Sequence, residues 1–216
     1  MARRALRKLS PSLDLSQHLR VLTELPTPLD PQSLFPRPAP LELEMGSGKG
    51  LFLHTASGQR PEHNFLGVEL AHKYAQFAAA RLARNGRTNA CMVDGDGLRL
   101  FREWLPDRCA VAVHVYFPDP WWKKRHRKRR VLNAPFLADV VRVLQPGGTL
   151  HFWTDVAEYF QSSLELIAAS TPLLGPFDVP EPPSLSDLDY RTHFERRTRQ
   201  AGEPVYRAEF RRPADA

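Results

Sequence analysis

Between Leu41 and Ser170 short apolar runs alternate with segments of helical pattern, and the runs end in glycine, an acid or a polar turn. Leu41–Met45, Phe65–Glu69, Ala90–Val93, Ala110–Phe117 and Thr149–Trp153 read as strands. Helices are expected over Lys49–Ser57, Ala71–Asn85, around Leu98–Leu105, from an Asn133 cap to Leu144, and over Val156–Ser170. Pro146-Gly147-Gly148 is read as the stop of the fourth helix. Such alternation builds a parallel sheet covered by helices. The apolar run Ala110–Phe117, interrupted only by His114, suits a strand buried on both faces. Thr192–Arg197 and Val205–Arg211, joined through Gly202, read as a C-terminal antiparallel hairpin. The expected fold is therefore an open α/β sheet, mostly parallel, with that hairpin at one edge.

Residues 1–40 fall outside this alternation. Arg3, Arg4, Arg7 and Lys8 open the chain without a following apolar region, which argues against a secretory signal and for a basic arm. Pro26, Pro28, Pro31, Pro36, Pro38 and Pro40 argue for an extended lead-in. The division expected is a basic, proline-rich arm over 1–40 and one folded domain over 41–216. No apolar run reaches the ~20 residues of a membrane helix. Cys91 and Cys109 sit in no metal-like spacing and read as apolar fillers in a reducing cytoplasm. No metal is expected. His114 and His151, inside strands, read as core histidines with satisfied nitrogens.

In an open α/β sheet ligands bind beyond the carboxyl ends of the strands. After the first strand stands Glu44-Met45-Gly46-Ser47-Gly48-Lys49-Gly50. A P-loop would need glycine at Leu43 and a hydroxyl at Gly50, so that reading fails. A dinucleotide turn is weakened by Leu51 in the sixth position. A GxGxG turn preceded by an acid suits S-adenosylmethionine, whose ammonium a carboxylate attracts; a ligand-free glycine turn is the plain alternative. Glu69 could accept ribose hydroxyls or merely cap the next helix. Asp94 and Asp96 could take an adenine amino group or serve the turn.

The fourth strand leads into Phe117-Pro118-Asp119-Pro120-Trp121-Trp122, then KKRHRKRR over 123–130, with seven Lys or Arg in eight positions. A second basic cluster lies between Arg191 and Arg212, within a net charge of +6. Aromatics beside cations offer stacking and phosphate neutralisation together. A localisation signal or a solvated face explains such a run less well, because this one adjoins the ligand edge.

FPDPWWKKRHRKRR (Phe117–Arg130) resembles the signature of the tRNA (guanine-N7)-methyltransferases, which act in the tRNA variable loop. The likeness extends to LELEMGSGKG (Leu41–Gly50), FLGVEL (Phe65–Leu70), Thr154-Asp155 and Thr192-His193-Phe194-Glu195-Arg196-Arg197. It implies a class I methyltransferase fold, Rossmann-like, using S-adenosylmethionine on tRNA to form 7-methylguanosine. It assigns Glu44, Glu69, Asp96 and Asp119, with the Gly46 and Gly48 turn, to the cofactor. Asp119 is also the catalytic candidate. Lys123, Asp155, Thr192, His193, Phe194 and Glu195 fall to the substrate. Arg125, His126, Arg127, Lys128, Arg129 and Arg130 would touch the RNA backbone. Trp122 and Gly97 depart from the family's usual residues. Monomer and homodimer both remain open.

Overall fold

The computed structural model describes residues 10, 12–180 and 190–214. Among these, eight strands form one sheet in the order β1-β4-β3-β2-β5-β6-β8-β7. They are β1 Leu19–Val21, β2 Leu41–Met45, β3 Asn64–Glu69, β4 Ala90–Asp94, β5 Ala110–Tyr116, β6 Leu144–Thr154, β7 Leu174–Asp178 and β8 Tyr206–Arg211. Pairing is parallel from β1 through β6 and antiparallel for β6–β8 and β7–β8. The helices are α1 Leu51–Gln59, α2 His72–Arg84, α3 Gly97–Arg99 with a π turn to Trp104, α4 Ala134–Val143, α5 Ala157–Ser170 and α6 His193–Gln200.

Strand alternation sorts the side chains onto two faces. One face carries Leu41, Leu43, Met45, Leu66, Val68, Val113, Val115 and Phe152, packed against Phe101, Phe136, Leu137, Val140, Tyr159 and Ile167. The other carries Phe65, Met92, Tyr116 and Trp153 against Phe52, Leu53, Ala75, Ala78, Ala79 and Leu82 of α1 and α2. Close packing of α1 on α2 requires Gly50, at φ +64°, because a Cβ there would stand 2.6 Å from the Ala78 Cβ. The expected cap of α4 forms: the Asn133 side chain accepts the Phe136 amide at 3.0 Å.

Several local expectations are corrected. Thr192–Arg197 is not a strand; Thr192 caps α6, its hydroxyl accepting the Glu195 amide at 3.0 Å. Beside β6, the antiparallel partner of β8 is instead Leu174–Asp178, which holds Gly175 and Pro176. An edge strand tolerates both residues. Pro146-Gly147-Gly148 lies inside β6, which already starts at Leu144. Part of the proline-rich lead-in also joins the domain. Leu19–Val21 pairs with β4, and Leu22, Leu29 and Phe35 are buried in the core.

Candidate active site

β2, β3 and β4 run outward on one side and β5 and β6 on the other, so the chain reverses direction between β2 and β5. A crevice at such a switch point is where open sheets bind ligands. Two loops flank it: Gly46–Gly50 after β2 and Phe117–Trp122 after β5.

Gly46, Gly48 and Gly50 all have positive φ (74°, 54° and 64°), and a Cβ at Gly46 or Gly48 would meet no atom within 4 Å. The turn therefore leaves room for a ligand at its backbone. Glu44 lies beneath it, 3% exposed, and its Oε2 has no hydrogen-bond partner among the described residues. Burial raises its carboxyl to about 8, with Ser47 opposing and the charge of Glu69 adding to the rise. A buried carboxyl with one unpaired oxygen, facing a glycine turn, is a place for a cationic group. Glu69, half-buried, accepts the Gly48 amide at 2.8 Å and the Ala71 amide at 2.9 Å. It thus braces the turn and serves the next helix together. Asp96 caps α3 through the Leu98 amide at 2.9 Å, while Asp94 pairs with His72. The fit to S-adenosylmethionine is therefore good at Glu44, Gly46, Gly48 and Glu69. At Asp96 the turn role is the one the contacts display.

On the other side, Phe117 and Trp121 both take positive φ (50° and 46°), a strained state for bulky residues, with Pro118 and Pro120 between them. Asp119 stands exposed between the two prolines. It lines a pocket of about 310 Å³ with Pro120, Trp121, Trp122, Lys123 and His126. The basic run is a 3₁₀ segment, Lys124–Arg129, with no buried residue. Arg130 departs from the expected RNA contact. Its side chain is 9% exposed and donates to Glu158 at 2.7 Å, to the Pro120 carbonyl at 2.8 Å and to Ser162 at 3.2 Å. It anchors the loop from below. Arg127 also reaches Glu158, at 3.3 Å.

The third group comes from α6. Its Phe194 stacks on Phe117 with ring centres 6.2 Å apart, which brings Thr192–Glu195 against the Asp119 loop. His193 accepts from Arg81 of α2 at 3.1 Å; burial, then Arg81 and neighbouring cations, lower it to about 4, so it is neutral. Lys49 is among those cations, so the glycine turn is near as well. Glu195 is wholly buried, its carboxylate taking the Arg191 amide at 2.6 Å and facing Arg199 and Arg207 at 3.5 Å each. That position holds α6 rather than offering a free acceptor. Asp155 stands exposed just past β6.

His114 is the satisfied core histidine expected, but the buried polar chain it belongs to on the α1 face is not foreseen from the sequence. Glu42 and Glu44 of β2 alternate with core residues, as do His114 and Tyr116 of β5. Arg60 and His63 reach Glu42 Oε1 at 2.8 and 2.7 Å, and His114 Nε2 reaches its Oε2 at 2.7 Å. Burial works to raise Glu42, but its bonds to His114 and His63 and the nearby charges leave it lowered. Burial drives His114 down to about 4 despite Glu42, so the imidazole is neutral. One assignment then makes every contact a donor–acceptor pair. Arg191 Nη1 donates to the Tyr116 oxygen at 3.3 Å, Tyr116 donates to His114 Nδ1 at 2.8 Å, and His114 Nε2 donates to Glu42. The signal is the i, i+2 spacing of Glu42 and Glu44 in β2 and of His114 and Tyr116 in β5, which puts all four on one face of the sheet.

A family model described as "Putative methyltransferase" matches residues 38–208. The chain is 52% identical over 218 aligned residues to the tRNA (guanine-N(7)-)-methyltransferase of Rhodopirellula baltica, covering 98% of this chain and 80% of that one. It is 38% identical to the enzyme of the same name from Paracidovorax citrulli, over 90% of this chain and 77% of that one. A solved 16S rRNA (adenine(1408)-N(1))-methyltransferase from Catenulisporales acidiphilia superposes with TM-score 0.54 at 20% identity, covering 82% of this chain and 86% of that one. That last likeness supports the class I methyltransferase fold.

Proposed function

Because this chain belongs to the tRNA (guanine-N(7)-)-methyltransferase family, we propose that it transfers a methyl group from S-adenosylmethionine to N7 of a guanine in tRNA, in the variable loop. The observation that carries the reading is the placing of two loops at the carboxyl ends of the neighbouring strands β2 and β5. One is an anion-lined glycine turn over the orphaned Glu44; the other is the strained Asp119 loop with its exposed cations. A purely RNA-binding protein has no need to bury a Glu44 oxygen without a partner, since such burial costs stability.

S-adenosylmethionine supplies an electrophilic methyl group when bound. Glu44 would face its ammonium, the Gly46–Gly48 backbone would let it approach, and Glu69 would accept from its ribose. Guanine N7 carries a free lone pair at neutral pH, so no general base is needed. The protein's task is alignment, which can supply ~7–11 kcal/mol in favourable cases. Asp119, held by two prolines, is the carboxylate placed to stabilise the positive charge that develops on the base. Asp155 is the exposed acceptor left for the guanine N1 and N2 donors, since Glu195 is committed to its arginines. Thr192, His193 and Phe194 would position the base from α6, and Lys123 with the 3₁₀ segment would hold phosphates. Among the described residues no helix is long and apolar enough to cross a membrane. The place of action proposed is the cytoplasm, with its tRNA. The deciding experiment is transfer from labelled S-adenosylmethionine to unmodified tRNA, with the modified base mapped. Label found on no guanine N7 would overturn the reading.

A further inference from the structure

Two adjacent tryptophans of the Asp119 loop meet different fates. Trp121 is half-buried, with the Arg129 guanidinium 5.1 Å from its ring and His126 edge-on at 5.9 Å. Trp122 is 70% exposed and, among the described residues, has no ring partner, no cation over its ring and no hydrogen bond. An indole left in water forgoes the burial that makes tryptophan favourable in a fold. The loop that presents it is not slack. Pro118 and Pro120 limit the backbone, Phe117 and Trp121 hold left-handed conformations, and Arg130 donates to the Pro120 carbonyl. The ring borders the same pocket as Asp119, Lys123 and His126. Lys123, Lys124 and Arg125 follow it directly and are exposed.

We propose that Trp122 is a base-stacking subsite: its indole receives an unstacked nucleobase of the bound tRNA beside the target guanine, and the stack sets the register of the RNA strand over Asp119. The inference rests on the tRNA reading above. Its chemistry follows from the neighbours. A planar, uncharged ring next to a row of cations matches a nucleobase joined to phosphates. Stacking is tolerant of sequence, so the subsite would position the strand while contacts at the methyl-accepting guanine select the base.

The test combines spectroscopy with kinetics. Trp104 and Trp153 are buried and Trp121 is half-buried, so Trp122 contributes most of the acrylamide-quenchable fluorescence of the wild-type protein. Saturating unmodified tRNA is expected to shield that fraction, and W122F is expected to lack it with and without tRNA. W122A is expected to bind tRNA about 5- to 150-fold more weakly, the loss of one stacked base. Its KM for tRNA should rise more than kcat falls, with S-adenosylmethionine affinity unchanged. W122F, which keeps a ring, should stay within about threefold of wild type, an outcome a merely structural role for the indole would not give. Unchanged access of acrylamide to Trp122 in the tRNA complex, or wild-type tRNA affinity in W122A, would overturn the subsite. So would shielding by anionic phospholipid vesicles with none by tRNA. Wild-type methyl transfer with Trp122 unshielded sinks the stack alone; absence of transfer to guanine N7 sinks the tRNA-methylation reading, whatever the fluorescence.

Discussion

Arg191 Nη1 donates to the Tyr116 hydroxyl at 3.3 Å and so ties the residue ahead of the α6 cap to the last residue of β5. The same guanidinium sits 5.0 Å from the Trp153 ring. The α6 residues proposed to hold the substrate are thereby fixed to the strand that leads into Asp119. Tyr116→Phe is expected to lower kcat roughly tenfold with little change in S-adenosylmethionine affinity. It should also cost about 1–3 kcal/mol of stability, because His114 Nδ1 loses its buried donor. Turnover measured well below the melting temperature, alongside thermal unfolding, separates the two effects. Normal turnover in a destabilised variant would reduce the chain to scaffolding.

Glu44 predicts a proton linkage. Its carboxyl is raised to about 8 by burial, so at neutral pH it is mostly protonated without a ligand. A bound ammonium favours the carboxylate, so binding releases a proton. S-adenosylmethionine affinity should therefore rise between pH 6 and 7, by up to tenfold. Calorimetry in buffers of different ionisation enthalpy should count up to one proton released, and Glu44→Gln should abolish both effects. The stability sign follows from the same shift. The folded state holds this proton above the ordinary carboxylate range, so Glu44 lowers stability as pH rises toward 8. Glu44→Gln should become relatively more stable there. Affinity independent of pH would place the ammonium elsewhere.

Legibility from the sequence tracked the range of the interactions. β5 was readable because seven consecutive residues, Ala110–Tyr116, fill a strand enclosed on both faces. The glycine turn was readable because it follows such a run directly. α6 was misread although Thr192 and Glu195 have the T-x-x-E spacing of a helix start; the basic residues after them carry no apolar period. β7 was missed because all five of its residues are exposed and two are Gly and Pro. Arg130–Glu158 and Arg191–Tyr116 span 28 and 75 residues, and no local pattern announces such pairs.

Arg130 should behave unlike its neighbours in the run. Arg130→Ala removes donors to Glu158, Ser162 and the Pro120 carbonyl. The expected loss is about 1–3 kcal/mol, short of a fully buried pair because Glu158 faces water. Turnover should fall with it as the Asp119 loop loosens, while Arg125→Ala leaves the melting temperature within error. Equal melting temperatures for the two variants would refute the anchoring role.

The exposed cations should set the salt dependence. Lys124, Arg125 and Lys128 are exposed and have no carboxylate partner among the described residues, whereas Arg127 is drawn to Glu158 and Arg129 to the Trp121 ring. Each phosphate contact releases condensed counterion, so tRNA affinity falls with salt by a slope of about −0.7 to −0.9 per contact. Changing all three to glutamine should therefore reduce the magnitude of the slope by roughly 2 to 3. S-adenosylmethionine affinity and melting temperature should stay put, since none of the three holds the loop. Turnover at saturating tRNA should fall less than tRNA affinity does, because Asp119 and its two prolines keep their anchor in Arg130. A triple variant with the wild-type slope would show that these charges face solvent in the complex, and the phosphate contacts would have to lie on α6 and β8, among the arginines between Arg191 and Arg212.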